Sequence, residues 1–292
     1  MGIASGAAEL LLRSSNKIKF RGKLLQLGNQ KILCSKNKFI KLKYRYHKEK
    51  IKFDAEKKFD SDLFFKLLNF SNVDSLDVNS YENATIIEDL NLPIKKKYYK
   101  NFDFIYDGGS LEHIFNISEA LNNISRILKT NGYIMHLSPV NNYIDHGFYS
   151  INPTLLKDYY EQNNFKILEI NLIKQNYNLE KETKWEVFEY EPSLIRHYKN
   201  WKWKENRMLV WLVAKKTNKS AKIVIPTQSK YVDLHKKKKF KNKKNLKGIL
   251  RNNYPRTFYF LKKAKNSTSG LINLNKNKNN IKKIPKLIFK CE

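Results

Sequence analysis

Four short apolar runs between residues 22 and 109 each end on glycine, an acid or an amide. They are "GKLLQLGNQ" (22–30), "SNVDSLDVNS" (71–80), "NATIIEDLNLP" (83–93) and "FDFIYDGG" (102–109). Three more runs read as strands: "GYIMHLSP" (132–139), "FKILEINLI" (165–173) and "RMLVWLVAKK" (207–216). Between them lie segments with apolar residues at helical spacing. "DSDLFFKLLNF" (60–70) follows an Asp or Ser cap, "SEALNNISRILKTNG" (118–132) has Ser118 as its expected N-cap and Gly132 at its end, and "NPTLLKDYYEQNN" (152–164) follows Asn-Pro. Alternating strands and helices imply an α/β fold, a doubly wound and mostly parallel sheet of about seven strands. The last strand is free to pair antiparallel, because no clear helix precedes it.

Charge divides the chain. From Lys215 to Glu292 there are 24 Lys and Arg against 2 acids, and the preceding 214 residues hold 33 bases and 25 acids. The expected organisation is a folded domain over 1–216 and a basic, weakly structured extension over 217–292, with one short helix around 244–263. Codon bias toward Lys, Asn, Ile, Tyr and Phe accounts for part of the charge. An anionic partner, RNA or a membrane surface, is the expectation for the rest, because lysine runs interleave with Tyr254, Phe258, Tyr259 and Phe260. No apolar window reaches the length of a membrane span. The start, "MGIASGAAELLLRSS", lacks the layout of a secretory signal, and two distant cysteines, Cys34 and Cys291, fit a reduced, cytoplasmic protein.

In an open parallel sheet, ligands sit beyond the carboxyl ends of the strands. This chain places Gly28, Asn29 and Gln30 after the first strand and Asp77 after the second. Asp89, Leu90 and Asn91 follow the third, and Asp107, Gly108 and Gly109 the fourth. Glycine lets backbone approach a ligand, and a carboxylate accepts from a ribose hydroxyl or an exocyclic amine. Each position also has a plainer reading. Gly108 and Gly109 can simply end a strand, and Glu112 can sit in a helical first turn on electrostatic grounds alone. No Cys/His spacing suits zinc and no phosphate-loop signature is present, so no stable metal is expected.

"EDLNLP", "FDFIYDGGSLEHI" and "ALNNISRILKTNGYIMHLSP", in that order, resemble the class I S-adenosylmethionine-dependent methyltransferases over about residues 20–216. The resemblance implies a Rossmann-like fold and S-adenosylmethionine as cofactor. It places Asp77 on the cofactor's ribose, Asp89 and Leu90 beside its adenine, and the strand-one and strand-four ends against the remainder. The chain departs from the family in its glycine-rich loop. "LQLGNQ" keeps Gly28 alone, and Gln30 is expected to contact the ligand through its side chain instead.

The resemblance also turns the segment after strand five, "SPVNNYIDHGFYSINP" (138–153), toward the methyl acceptor. His146 is the candidate base for a hydroxyl acceptor, and Glu112 and His113 are the other candidate catalytic residues. The aromatic segment 178–205 is expected to pack on the body or to cover the acceptor. Strand four lacks the Asn/Asp-Pro-Pro-Tyr pattern of amino-directed nucleic-acid methyltransferases. A small-molecule or glycan-like acceptor is therefore the first reading. An RNA-binding or RNA-modifying protein, or a non-catalytic protein of this fold, is the alternative.

Overall fold

A computed structural model describes residues 2–51, 53, 58–176, 184–192, 206–220, 222–229 and 286–291. The chain divides into two units, Met1–Tyr190, Lys199–Pro226 and Leu287–Glu292 in the first, Glu191–Tyr198 and Thr227–Lys286 in the second. Every element below belongs to the first. The expected helix at 244–263 and the lysine runs with their interleaved aromatics lie outside the described residues.

The strands are β1 (Gly2–Ile3), β2 (Lys23–Leu27), β3 (Lys31–Ile32), β4 (Asn72–Asp77), β5 (Ile86–Ile87), β6 (Phe102–Asp107) and β7 (Leu128–Asn141). They continue with β8 (Phe165–Asn176), β9 (Lys184–Glu189), β10 (Arg207–Lys216) and β11 (Leu287–Cys291). The α-helices are α1 (Ser5–Lys17), α2 (Lys36–His47), α3 (Ser61–Lys66), α4 (Ile117–Ile127) and α5 (Pro153–Gln162). The main sheet has nine strands in the order β11-β9-β8-β10-β7-β6-β2-β4-β5, and β1 pairs separately with β3.

Strands β5, β4, β2, β6 and β7 are joined by parallel pairings. The four remaining pairings, β7–β10, β10–β8, β8–β9 and β9–β11, are antiparallel. The expectation of a mostly parallel sheet of about seven strands is corrected to a mixed sheet of nine. The cause is connection length. Residues 177–183 between β8 and β9 are too few for a crossover, which takes a dozen residues or more, so β9 folds straight back on β8. Part of the aromatic segment 178–205 is therefore a sheet strand, and its residues 178–183 and 193–205 lie outside the described residues.

Side-chain alternation builds a core on each face. Leu24, Phe104, Tyr106, Met135, Leu137, Trp211 and Val213 face one way, where Leu10 and Leu11 of α1, Phe39 of α2 and Phe64 and Phe65 of α3 cover them. Leu25, Leu27, Ile105, Ile134, Val210, Leu212 and Ala214 face the other, under Leu121 and Ile124 of α4 and Leu156 and Tyr160 of α5. With both faces covered, β10 is buried almost throughout and reads as a continuous apolar run.

Helix caps follow local chemistry. Asp60 accepts from Leu63 N–H, and Asn152 accepts from Thr154 N–H, as residues of these types do at helix starts. For α4 the cap is Asn116, not Ser118, and the helix ends at Ile127, where the chain runs directly into β7. Gly132 lies inside β7, in the stretch where the register to β6 slips.

The expected boundary at 216 shifts. Val224 N–H donates to Asn163 Oδ1 (2.7 Å) and Asn163 Nδ2 donates to Val224 O (2.9 Å), holding that segment to the end of α5. Leu287–Cys291 returns to the sheet as an edge strand on β9. Lys290 reaches Glu186 at 3.1 Å, and the Arg13 guanidinium lies 3.6 Å from the centroid of the Phe289 ring. These last residues are thus not a weakly structured tail. Both cysteines are free thiols and buried. No described helix is long and apolar enough to cross a membrane.

Candidate active site

From β2 the chain moves outward through β4 to β5, and then crosses back to β6 and β7 on the other side. The direction reverses between β2 and β6, which is the switch point where open α/β sheets bind ligands. The carboxyl ends of β2, β4 and β6 supply its lining.

At the end of β2, Gly28 has φ +68°, a left-handed conformation that glycine adopts without strain. A Cβ there would lie 3.1 Å from Ser110 Oγ, 3.7 Å from Gln30 Nε2 and 3.9 Å from Asp77 Oδ2. Side chains from all three strand ends thus converge on one glycine. A polar network holds the loop: Gln26 Nε2 donates to Ser61 Oγ, Ser61 Oγ to Asn29 Oδ1, and Asn29 Nδ2 to Glu82 O. The side chain of Asn29 therefore organises the loop. Gln30 Nε2 donates to Leu27 O (3.0 Å), while its buried Oε1 has no hydrogen-bond partner among the described residues. An unpaired buried acceptor is costly unless a ligand donor meets it.

Asp77 Oδ1 accepts from Val78 N–H at 2.7 Å, and its Oδ2 lies toward Gly28. Asp89 Oδ1 accepts from both nitrogens of Asn91 in a tight turn. The Leu90 side chain is buried in the core under α4, so at that position only backbone can meet a ligand. Gly108 is tight for a different reason from Gly28. A Cβ at Gly108 would lie 2.6 Å from Gln30 Oε1 and 2.8 Å from Tyr106 Cε1. Gly109 has φ +101°.

Asp107 is fully buried and turns inward. Its Oδ1 accepts from the N–H groups of Gly109, Ser110 and Leu111. Its Oδ2 lies 2.7 Å from His136 Nδ1, and His136 Nε2 lies 2.6 Å from Tyr160 OH. With Nδ1–H given to Asp107, Nε2 accepts from the tyrosine. This buried chain from α5 through β7 to β6 fixes the turn at 109–111, and so fixes the short 3₁₀ turn Leu111–His113 that follows.

That turn carries Glu112 and His113, and the loop after β7 brings His146 to them. The ligand-capable atoms of the three side chains all lie within 4.8 Å of one another. The loop is stapled in place: Phe148 N–H and Tyr149 N–H both donate to Glu112 O, at 2.9 and 3.2 Å. Gly147 makes the approach feasible, because a Cβ there would lie 2.9 Å from Glu112 O and 3.3 Å from its Cγ. His146 Nε2 is 3.6 Å from Glu112 Oε1, and the rings of His113 and His146 are 5.1 Å apart. Glu112 is completely buried, yet neither carboxylate oxygen has a hydrogen-bond partner among the described residues. Burial, with the Asp107 charge adding to it, pushes the Glu112 carboxyl up to about 8. Burial also lowers both His113 and His146, which favours the neutral imidazoles. Phe115, Ile144 and Phe148 are exposed around the cluster.

The structure therefore separates two converging groups of expected residues from a supporting frame. Gly28, Gln30, Asp77 and Gly108 converge at the switch point, while Glu112, His113 and His146 converge beside it. Asn29, Asp107 and Leu90 hold the frame by their side chains, and Asp89 shapes the turn after β5. Sequence pattern missed His136, Tyr160, Ser61 and Gly147. The histidine in "YIMHLSP" occupies a buried strand position, a signal that it needs polar partners. Glu112, His113 and His146 were expected at one site, but that their ligand-capable atoms meet was hidden by the 33 positions between the two histidines.

No protein-family model matches the chain, and no curated protein matches it. Among solved structures it is similar to TehB from Haemophilus influenzae, at 15% identity and TM-score 0.41, over 71% of this chain and 61% of TehB. It is similar to a SAM-dependent methyltransferase from Archaeoglobus fulgidus at 16% identity and TM-score 0.39, over 72% of this chain and 94% of that one. A third is the N-methyltransferase NodS from Bradyrhizobium japonicum WM9, at 11% identity and TM-score 0.39, over 73% and 95% of the two chains. The α/β architecture of this chain stands on its own strand order, parallel crossovers and two-faced core.

Proposed function

We propose that the chain is an S-adenosylmethionine-dependent methyltransferase acting on a small-molecule or glycan-like acceptor. The observation that carries this reading is the convergence of Gly28, Gln30, Asp77 and Gly108 at the switch point, directly before the turn that carries Glu112. The residues fit the cofactor chemically. Gly28 leaves a cradle that a Cβ would fill. Gln30 offers a buried, unpaired carbonyl to an ammonium group, which compensates for the missing glycines of the loop. Asp77 offers a carboxylate to vicinal hydroxyls.

When bound, the cofactor supplies an electrophilic methyl group on a sulfonium. The protein's own contribution is position. The Asp107–His136–Tyr160 chain and the hydrogen bonds from Phe148 and Tyr149 to Glu112 O hold the acceptor-side residues rigidly, and rigid placement of reactants supplies much of the acceleration in such displacements. The Glu112, His113 and His146 cluster faces the acceptor and handles its hydroxyl. Incubation with methyl-labelled cofactor and a panel of hydroxyl-bearing small molecules and glycans tests the reading. Label transfer that Asp77→Ala abolishes supports it, and no transfer to any acceptor with the cofactor demonstrably bound counts against it.

A further inference from the structure

Glu112 is buried without a compensating hydrogen-bond partner among the described residues. It is a carboxylate with no exposure and no hydrogen bond to either oxygen. A buried carboxylate left in that condition costs several kcal/mol or stays protonated. Its neighbours are not hydrophobic filler. His146 presents a buried Nε2 that also lacks a hydrogen-bond partner among the described residues, and His113 stands at the exposed side. Three groups that each offer a lone pair thus face one small space, and none of them supplies a proton donor to the others in hydrogen-bonding geometry.

We propose that Glu112, His113 and His146 form a binding site for a divalent first-row transition-metal ion. Two imidazoles and one carboxylate suit zinc, manganese, iron or cobalt, whereas magnesium and calcium prefer an all-oxygen shell. Ligand atoms within 4.8 Å of one another must draw in by about an ångström to reach metal bonds near 2.0–2.2 Å. The adjustment falls to the exposed His113 and the half-buried His146, because Glu112 is pinned by Gly147 and by the hydrogen bonds to its carbonyl. Three protein ligands leave coordination positions open, as in metal sites that bind a small molecule, while structural zinc sites close with four. The metal site stands on its own geometry. That its open positions face the acceptor hydroxyl rests on the methyl-transfer reading.

The test uses the full chain, stripped with a chelator and titrated with Co²⁺ while its visible absorption is recorded, then back-titrated with Zn²⁺. The expected result is one ion per chain, displaced by zinc, with affinity lowered at least about tenfold in each of Glu112→Gln, His113→Ala and His146→Ala. His47→Ala, whose ring is hydrogen-bonded to Ser15, is expected to leave the affinity unchanged. His113 is exposed, so its variant keeps the test valid if Glu112→Gln fails to fold. Absence of saturable one-to-one binding, or an affinity unmoved in the folded His113 and His146 variants, overturns the proposal. Calorimetry with S-adenosylmethionine on the same samples separates the two readings. Metal binding without cofactor binding would leave this site standing and sink the methyl-transfer assignment, whereas cofactor binding without metal binding would do the reverse.

Discussion

Gly108→Ala isolates one tight contact at the switch point. The added methyl would lie 2.6 Å from Gln30 Oε1, 2.9 Å from Gln30 Cδ and 2.8 Å from Tyr106 Cε1. Tyr106 has little room to move: it is fully buried in β6, with its ring centroid 5.5 Å from that of Phe65. Gln30 therefore takes most of the displacement and loses its hydrogen bond to Leu27 O. Overpacking a rigid site costs about 1–3 kcal/mol and the hydrogen bond about 1 kcal/mol. The expected destabilisation is about 2–4 kcal/mol, or roughly 5–15 °C in Tm for a domain of this size. Thermal denaturation of wild type, Gly108→Ala, Gln30→Ala and the double variant measures it. Because Gln30 is the main obstacle, the glycine substitution should cost at least about 1 kcal/mol less in the Gln30→Ala background. Additive costs in the cycle would refute the reasoning and return Gly108 to an ordinary turn position.

Gly28→Ala forces a side chain into a left-handed backbone and places it 3.1 Å from Ser110 Oγ; a loss of about 1–2 kcal/mol is expected by urea unfolding, with weaker cofactor binding. His136→Phe leaves the Asp107 carboxylate and the Tyr160 hydroxyl without their shared partner, and should cost about 3 kcal/mol or more in the same assay. Burial works to raise the Glu186 carboxyl, but hydrogen bonds from Lys174, Lys290 and Asn176 overcome it and hold the group at about 2 instead of 4.5. A depressed folded-state value means that this clamp between β9 and β11 is complete above about pH 4.5 and is lost as pH falls toward 2. The stability gap between wild type and Glu186→Gln should therefore close over that window. An unchanged gap at pH 2.5 would show that the clamp does not act as described.

The strands were legible because burial on both faces writes long apolar runs into β6, β7 and β10. The run "RMLVWLVAKK" coincides with β10 from end to end, and its freedom to pair antiparallel is realised. The helices α1 and α2 were not anticipated. In α2, Phe39, Leu42 and Lys43 are the buried residues, and lysines dominate the rest of the helix, so its apolar stripe is faint against the charge. The return of β11 to the sheet could not be seen, since a five-residue strand beyond a long lysine-rich stretch carries no mark of its partner. At the site, glycine and acid at strand ends were visible as a pattern. What each side chain does was not: Asp77 and Asp107 look alike in sequence, yet Asp77 borders the switch point and Asp107 is consumed by three backbone N–H groups and a histidine.

Calorimetric titration of the full chain with S-adenosylmethionine, and with its demethylated product, tests the central claim most directly. Saturable one-to-one binding is expected for both ligands. Asp77→Ala should weaken it by about 1.5–3 kcal/mol, on the order of ten- to hundredfold, by removing a charge-assisted contact to the ribose. No heat from the folded wild-type chain at about millimolar cofactor, or an Asp77→Ala variant that binds as tightly as wild type, would contradict the account.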